Sequence, residues 1–326
     1  MLKVGLIGCG FMGTMHSNCY KILPNVELVA VADIRAEKAE EIAQGTNAKI
    51  YADGKDLIRE ADVDIIDICL PTYLHAEYAL LAMDKVRYLI VEKPVTLKVE
   101  EAEAMIKKSA QTGCRVQVGQ CLRFSDEYTF LRNAVKEGRY GKVVNANFRR
   151  LSPSPDWGWN NWLHDVNCSG GAAQDLYIHD VDYVLTVFGR PDSLWSVKNT
   201  LGEKNSYINT LMKYRDFAVS IEGTWDLPAS HPFQDFYRVV FEDAVLEYEC
   251  GKLMLYTNDG AEEVKLNKLN MVAQGGTAGN VTELGEYYNE LQYFVQRAAA
   301  GLNFDEAKLT DATESLRFLL NFSRDI

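Results

Sequence analysis

The chain has 326 residues, of which 47% are hydrophobic and 25% charged, a composition typical of a globular protein long enough for two domains. Its formal net charge of -12 argues against nucleic acid or an anionic membrane surface as the main partner, because either would favour a basic face. The seven cysteines show no C-x-x-C spacing, which indicates a reduced, intracellular protein and predicts no metal site. We find no signal-peptide pattern and no apolar run approaching the ~18 residues of a membrane span, so we expect a cytoplasmic protein.

The first predicted element is a short apolar strand that runs into three glycines with the spacing G-x-G-x-x-G, namely Gly8, Gly10 and Gly13. An amphipathic segment follows, so the pattern is strand, tight turn and helix. Glycines at these positions let the main chain approach a pyrophosphate, and the N-terminus of the helix binds its charge. The turn therefore predicts a dinucleotide site, with Phe11 and Met12 as further candidate cofactor contacts.

The second predicted strand, 26–32, ends at Asp33, about twenty residues past the last glycine, where a carboxylate should meet a ribose hydroxyl. A glycine-rich turn in some other α/β protein is the alternative, but the two features together favour the dinucleotide. Asp33 should repel a 2′-phosphate, which favours NAD over NADP. Arg35, two residues further on, keeps NADP open as a cofactor.

Strands and helices go on alternating to about residue 120, which predicts a doubly wound parallel sheet with right-handed crossovers. The further strands are expected at 49–51, 63–70, 86–91 and 115–118, and the helices at 35–44, at 55–60, directly after 71–75 and at 99–112. Ligands bind such sheets at the carboxyl ends of the strands. The glycine turn, the segment 71–75 and Glu92-Lys93-Pro94 all lie there. The ammonium of Lys93 can stabilise a developing alkoxide, although a solvated lysine at a strand end is the alternative.

Beyond residue 120 the pattern changes. A helix is expected at 126–137, a strand at 142–151, a helix at 172–188, alternating strands over 194–265, and two closing helices at 283–300 and 309–325. Alternating strands separated by turn residues predict an antiparallel sheet. The chain should therefore form two domains, residues 1–120 and 121–326, and its closing helices can pack back on the first.

Two further segments of the second half contain candidate site residues. Asp175, His179 and Asp182 have the spacing of one helical face, and a histidine beside carboxylates is a natural base for an alcohol proton; a solvated acidic face is the alternative. The loop 155–162 is rich in tryptophan and asparagine, which suit either sugar binding or packing. We favour packing for Trp162, which stays among the candidate substrate contacts, and leave Trp157 and Trp159 open.

The ordered set of the glycine turn, Asp33, Glu92-Lys93-Pro94 and the stretch from Gly170-Gly171 through Asp175 to His179 resembles the glucose-fructose oxidoreductase and inositol dehydrogenase family (Gfo/Idh/MocA). The resemblance runs nearly the full length. It implies an NAD(P)-binding Rossmann domain followed by an α/β domain with a large, mainly antiparallel open sheet. That second domain binds substrate and often forms a homodimer or homotetramer interface.

The resemblance also implies roles for individual residues. Lys93 matches the lysine that contacts the reacting oxygen, and Lys93-Pro94 an often cis peptide. His179 matches the catalytic base and Asp175 its companion, while Asp182 and Arg123 match polar contacts to the substrate. The remaining candidate cofactor contacts are Leu70, Pro71, His75 and Glu92; Leu70-Pro71-Thr72 stands where the family usually has Thr-Pro-Asn.

The predicted function is hydride transfer between nicotinamide and a secondary hydroxyl of a sugar, inositol or sugar derivative. A nucleotide-sugar dehydrogenase is the nearer alternative, for which Arg149 and Arg150 are candidate diphosphate ligands; solvated strand residues are the other interpretation of these two arginines. A regulator that senses NAD or sugar without catalysis is the more distant one, and a dihydrodiol or imine reductase is a third.

Overall fold

The computed structural model describes residues 1–201, 204–249, 251–266, 268 and 284–323 of the chain. Cys250 and the predicted helix limits at Glu283 and Asp325 lie outside this description. The chain divides into two compact units. Unit 1 comprises residues 1–124, 157–169 and 269–314, and unit 2 comprises residues 125–156, 170–268 and 315–326. The sequence predicts a boundary near residue 120 and closing helices that can pack back on the first domain; the chain returns to unit 1 at residues 157–169 and again near its end.

Unit 1 is built on six parallel strands. These are β1 (Leu2–Ile7), β2 (Val26–Ala32), β3 (Lys49–Tyr51), β4 (Ile65–Ile68), β5 (Tyr88–Glu92) and β6 (Arg115–Gly119). Their order in the sheet is β3-β2-β1-β4-β5-β6, and every pair is parallel. Strands β4 and β5 are buried at every position, as strands covered on both faces should be. The predicted doubly wound Rossmann sheet is confirmed.

Apart from α7 (Val166–Ser169), which was not predicted, the α-helices of the described residues lie where the sequence predicts them. They are α1 (Phe11–Ile22), α2 (Ala36–Ala43), α3 (Gly54–Glu60), α4 (His75–Ala82), α5 (Val99–Thr112), α6 (Asp126–Glu137), α7 (Val166–Ser169), α8 (Ile178–Phe188), α9 (Gly285–Ala299) and α10 (Leu309–Ser323). Helix α9 packs against α1 in unit 1, where Leu291 and Phe294 join the hydrophobic core of the Rossmann sheet. This burial of apolar surface explains why the chain returns to unit 1 near its end.

Unit 2 contains an eight-stranded sheet. Its strands are β7 (Val143–Pro153), β8 (Ser193–Leu201), β9 (Lys204–Lys213), β10 (Ala218–Leu227), β11 (Gln234–Phe241), β12 (Val245–Glu249), β13 (Lys252–Thr257) and β14 (Gly260–Glu263). The order is β14-β13-β12-β11-β7-β10-β9-β8, antiparallel throughout except for the β7–β10 pair. The expected large, mainly antiparallel sheet is therefore confirmed.

One buried aromatic cluster holds helices α6 and α8 on this sheet. The ring of Tyr128 on α6 meets Tyr183 of α8 edge to face at 4.8 Å between centroids, and Tyr237 of β11 at 5.2 Å. All three side chains are buried. The cluster fixes α8, the helix that carries His179, against the face of the sheet.

Within the described ranges of the chain, no helix is long and apolar enough to cross a membrane.

Candidate active site

The glycine turn between β1 and α1 has the tight geometry that its sequence predicts. Gly8 has a φ of +95°, and a Cβ there would lie 2.4 Å from the carbonyl oxygen of Cys69. A Cβ on Gly13 would lie 1.9 Å from the carbonyl oxygen of Gly8, so only glycine lets the helix approach the turn this closely. A Cβ on Gly10 would meet only the Nη2 atom of Arg35, at 3.8 Å. At Gly10, therefore, the main chain of the turn is free of close side chains and can be approached by a ligand; we call this exposed backbone the glycine cradle.

The first turn of α1 suits an anion. Gly10 precedes the helix without a side-chain cap, and the first turn, which contains Phe11 and Met12, carries no acidic residue. Backbone N–H groups at a helix start and the helix dipole both favour negative charge. Together with the glycine cradle, these features fit the pyrophosphate of a dinucleotide.

Asp33 lies at the carboxyl end of β2 beside this turn. Its Oδ2 accepts a hydrogen bond from the Cys9 amide at 2.8 Å. Arg35 donates from Nε to Oδ1 at 3.0 Å and from Nη2 to Oδ2 at 2.9 Å. Burial alone would raise the pKa of Asp33, but the hydrogen bonds from Arg35 and Cys9 outweigh it and lower the pKa. The carboxylate is therefore charged at neutral pH, as the predicted contact with a ribose hydroxyl requires.

His75 connects two loops at the carboxyl ends of the central strands. Its Nδ1 lies 2.9 Å from the carbonyl oxygen of Pro94, and its Nε2 lies 2.7 Å from that of Leu70. Burial lowers the pKa of His75 despite these two backbone partners. The imidazole thus holds the loop that contains Pro71, after β4, against the loop after β5. Direct contact of these residues with the cofactor stays a prediction.

Lys93 follows β5 directly. It is half-buried, and the Lys93–Pro94 peptide is cis, as the family resemblance implies. The preceding Glu92 is only 5% exposed, and its Oε2 accepts a hydrogen bond from the Lys93 amide at 3.2 Å. The Oε1 of Glu92 lies 3.1 Å from Nε2 of His16, an ion-pair distance without hydrogen-bond geometry.

A buried polar cluster that the sequence analysis did not predict lies behind Glu92. Asp67 of β4 accepts from the Tyr20 hydroxyl at 2.8 Å and lies 2.8 Å from Nδ1 of His16. The Cys69 thiol lies 3.3 Å from the same nitrogen, so His16, Asp67 and Cys69 form a group of potential metal ligands that are hydrogen-bonded to one another. Burial opposes the charge on His16, but Cys69 and Asp67 outweigh it and raise its pKa. The one sequence feature that could have indicated this cluster is Asp67, a carboxylate within the otherwise apolar strand β4.

Arg123 lies within unit 1. Its side chain is 4% exposed, and its Nη1 lies 3.4 Å from Oδ2 of Asp311 at the start of α10. The predicted contact between Arg123 and substrate stays a prediction, and the observed partner is a carboxylate.

The segment 157–169, which lies between β7 and α8 in sequence, belongs to unit 1. Trp162 is half-buried beside Gly158, where a Cβ would lie 3.4 Å from its ring, in keeping with a packing role. Trp157 and Trp159 are exposed by 41% and 45%. The Cζ of Arg35 lies over the ring of Trp159, 5.8 Å from its centroid. Trp159, one of the two tryptophans whose role the sequence leaves undecided, therefore lies next to Arg35, the partner of Asp33.

In unit 2, the predicted helix at 172–188 begins with a π-helical turn at Ala173–Tyr177 and continues as α8. Such turns are rare and often occur at functional sites. Asp175 lies in the π turn, and His179 lies in the first turn of α8; both are half-buried. Asp182 is 1% exposed and accepts a hydrogen bond from the Ser315 hydroxyl at 2.8 Å. Asp182 is thus more buried than its two predicted companions, and its observed partner belongs to α10.

The two arginines of β7 have carboxylate partners. Arg150 donates from Nε to Oδ2 of Asp180 at 2.9 Å, and both side chains are buried. Arg149 lies 3.1 Å from Glu249 and is 30% exposed. From the sequence, Arg150 is a candidate diphosphate ligand or a solvated strand residue. It is neither, because its guanidinium is buried against Asp180 and the Tyr128 hydroxyl.

Two family models match the chain in succession. Residues 2–120 match the model described as "Oxidoreductase family, NAD-binding Rossmann fold" (GFO_IDH_MocA), and residues 128–247 match "GFO/IDH/MocA C-terminal domain". These ranges contain the glycine turn, Asp33 and Lys93 in one case, and Asp175 and His179 in the other.

Curated relatives include dehydrogenases of sugars and polyols. Myo-inositol 2-dehydrogenase of Thermotoga maritima is 28% identical over 191 residues, which cover 58% of this chain and 55% of that protein. D-glucoside 3-dehydrogenase of Escherichia coli is 27% identical over 310 residues, or 93% of this chain and 84% of that protein. The matched region spans about half the length of the first of these curated relatives.

Solved structures share the fold. Levoglucosan dehydrogenase in complex with NADH and levoglucosan superposes with a TM-score of 0.84 at 20% identity, covering 99% of this chain and 96% of that one. Since the two family models together match most of the chain, in the order in which its two sheets occur, the protein belongs to the Gfo/Idh/MocA family of NAD-binding Rossmann oxidoreductases.

Proposed function

We propose that this protein is an NAD(P)-dependent dehydrogenase that acts on a secondary hydroxyl of a sugar, inositol or sugar derivative. The observation that carries the proposal is in unit 1, where a glycine cradle and a charged Asp33 accompany Lys93 at the end of β5. A dinucleotide fold by itself needs no lysine at this position, whereas an ammonium group there can stabilise the negative charge that develops on an alcohol oxygen during hydride transfer. The curated relatives, which include an inositol and a glucoside dehydrogenase, support the substrate class.

In the proposed mechanism three residues act on the alcohol group of the substrate. His179 accepts the hydroxyl proton, because an imidazole titrates near neutrality. Lys93 donates a hydrogen bond to the same oxygen and stabilises the negative charge that develops on it. Asp175 orients these groups. Bound NAD would supply the acceptor for the hydride. Proton removal and hydride loss then leave a carbonyl group on the substrate.

NAD is the proposed cofactor, with NADP as the alternative. The Asp33 carboxylate is charged and would repel a 2′-phosphate, while Arg35 is held by Asp33 through two hydrogen bonds. A guanidinium already paired with a carboxylate offers less attraction to a phosphate. The balance therefore favours the cofactor without a 2′-phosphate.

The alternatives have less support. The buried pairing of Arg150 with Asp180 removes one of the two candidate ligands for the diphosphate of a nucleotide-sugar. A sensor without catalysis would have no need of a proton base such as His179.

A homodimer or homotetramer remains our expectation, supported by Trp195 and Leu211, cross-strand partners on β8 and β9 that are 68% and 49% exposed.

The test is to follow NADH absorbance with a panel of free sugars, inositols, sugar acids and UDP-sugars, with NAD and NADP supplied separately. We expect turnover of a free polyol with NAD, and no turnover in His179→Ala. Turnover confined to UDP-sugars would favour the nucleotide-sugar alternative. Binding of NAD without turnover of any compound would count against the proposed substrate class and favour a sensor.

A further inference from the structure

Trp159 is a large aromatic side chain that is 45% exposed in unit 1. The surrounding segment, residues 157–169, is held in place by packing and hydrogen bonds. Leu163 is buried, and the Ser169 hydroxyl donates to its carbonyl oxygen at 2.7 Å. Helix α7, at the end of the segment, packs against the 3-10 turn Thr72–Leu74. The exposed ring is thus carried by an anchored segment.

The backbone at Trp159 also has a defined shape. Asn160 and Asn161 have φ values of 52° and 60°, a left-handed conformation that asparagine tolerates better than most residues. The Asn161 amide donates to the carbonyl oxygen of Gly158 at 3.0 Å and closes a turn around Trp159. Two successive left-handed residues therefore fix the direction in which the chain leaves the tryptophan.

The neighbours of the ring identify which part of a dinucleotide it would meet. The Arg35 guanidinium lies over Trp159, and Arg35 is bonded to Asp33, the predicted partner of the adenosine ribose. The adenine base is attached to that same ribose. The nicotinamide end, by contrast, belongs near Lys93, at the carboxyl end of a different strand.

The Arg35 guanidinium lies within cation–π range of the indole but is not stacked flat on it. The Cζ atom is 5.8 Å from the centroid, whereas stacked planar groups in full contact are about 3.5–4.0 Å apart. Because Trp159 is still 45% exposed, part of the indole stays accessible to a flat ligand next to Arg35. The Arg35 guanidinium is held beside the indole by the Asp33 carboxylate.

We propose that Trp159 and the Arg35 guanidinium form the stacking platform for the adenine ring of the dinucleotide. The inference rests on the proposed function for its ligand, and it assigns a residue of the segment between β7 and α8 to cofactor binding. Stacking of a base on an aromatic side chain is sequence-tolerant, and its loss weakens binding by roughly 5- to 150-fold.

The test measures the affinity of the full chain for AMP and for NAD by calorimetry. We expect Trp159→Ala to weaken both by roughly 5- to 150-fold and Trp159→Phe, which keeps an aromatic face, to recover most of the loss. Trp157→Ala is the matched control, because Trp157 is similarly exposed and lies two residues away; its affinities should equal those of the wild type.

Unchanged AMP affinity in Trp159→Ala would overturn the inference. Equal losses in Trp159→Ala, Trp159→Phe and Trp157→Ala would also overturn it, because they would indicate damage to the segment rather than loss of stacking. The result is separable from the proposed function. Wild-type protein that binds AMP through Trp159 but oxidises no polyol would contradict only the proposed activity, and turnover with an AMP affinity insensitive to Trp159 would contradict only the platform.

Discussion

Replacing Arg150 by methionine should destabilise unit 2 strongly. The guanidinium is bound to both carboxylate oxygens of Asp180, at 2.9 and 3.3 Å, and to the Tyr128 hydroxyl at 3.1 Å. The side chains of Arg150 and Asp180 are 6% and 0% exposed, so neither charge can turn to water. Removing one partner of such a buried pair leaves an uncompensated charge and costs about 3–5 kcal/mol.

Arg149→Met is the matched control on the same strand. Its pair with Glu249 is 30% and 43% exposed, and such pairs contribute about 0–1 kcal/mol. Its contact with the Phe236 ring, at 4.5 Å from Cζ to the centroid, adds about 0.5–1 kcal/mol. The two substitutions remove the same charge, so their difference isolates the effect of burial.

The assay is urea denaturation followed by circular dichroism, with hydrogen exchange in β7 and α8 to locate the loss. Arg150→Met should unfold at clearly lower urea than Arg149→Met, and adding Asp180→Leu should restore part of the stability. The deficit should also shrink at acidic pH. Burial already raises the pKa of Asp180 above 3.8, and loss of Arg150 raises it further, so the variant loses stability as pH rises. Equal midpoints for the two methionine variants would refute the reasoning.

Three further outcomes follow from particular contacts. Gly13→Ala should abolish NAD binding, because its Cβ would lie 1.9 Å from the Gly8 carbonyl oxygen. Gly45→Ala is the control: its φ of +74° makes alanine cost stability, but no atom lies within 4 Å of its Cβ, so NAD binding should persist in calorimetry. Glu290→Gln should gain thermal stability over the wild type as pH rises above 4.5, since burial and then Glu92 raise the pKa of this carboxyl and its ionisation opposes folding; parallel melting curves across pH would contradict this. Asp33→Ala should weaken NAD binding, and unchanged affinity would contradict the ribose contact.

Most of the fold was predictable because local signals and packing agree in it. The apolar strand run, the glycine spacing and the carboxylate after β2 each have a direct geometric meaning, and β2, β3 and α5 have the predicted limits. Alternation of strands and helices leaves few topologies open, since crossovers between parallel strands are right-handed. The cis Lys93–Pro94 peptide was expected only from the family resemblance.

The features that were missed depend on contacts between distant residues. His16, Asp67 and Glu92 come from a helix and two strands, and no spacing along the chain announces that they meet in the core. Arg150 reads as an outward strand residue until Asp180 is known to lie beside it. The π turn at Ala173–Tyr177 has no periodic signature in a helix-forming stretch.

Turnover by Lys93→Met and His179→Ala, measured together with the dissociation constant for NAD, tests the central claim most directly. With a polyol substrate of the wild type, we expect kcat/KM to fall roughly 10²- to 10⁴-fold in each variant, because each loses a group that acts on the reacting oxygen. The affinity for NAD should stay close to that of the wild type. Unchanged turnover, or an equal loss of NAD binding in both variants, would contradict the assigned roles.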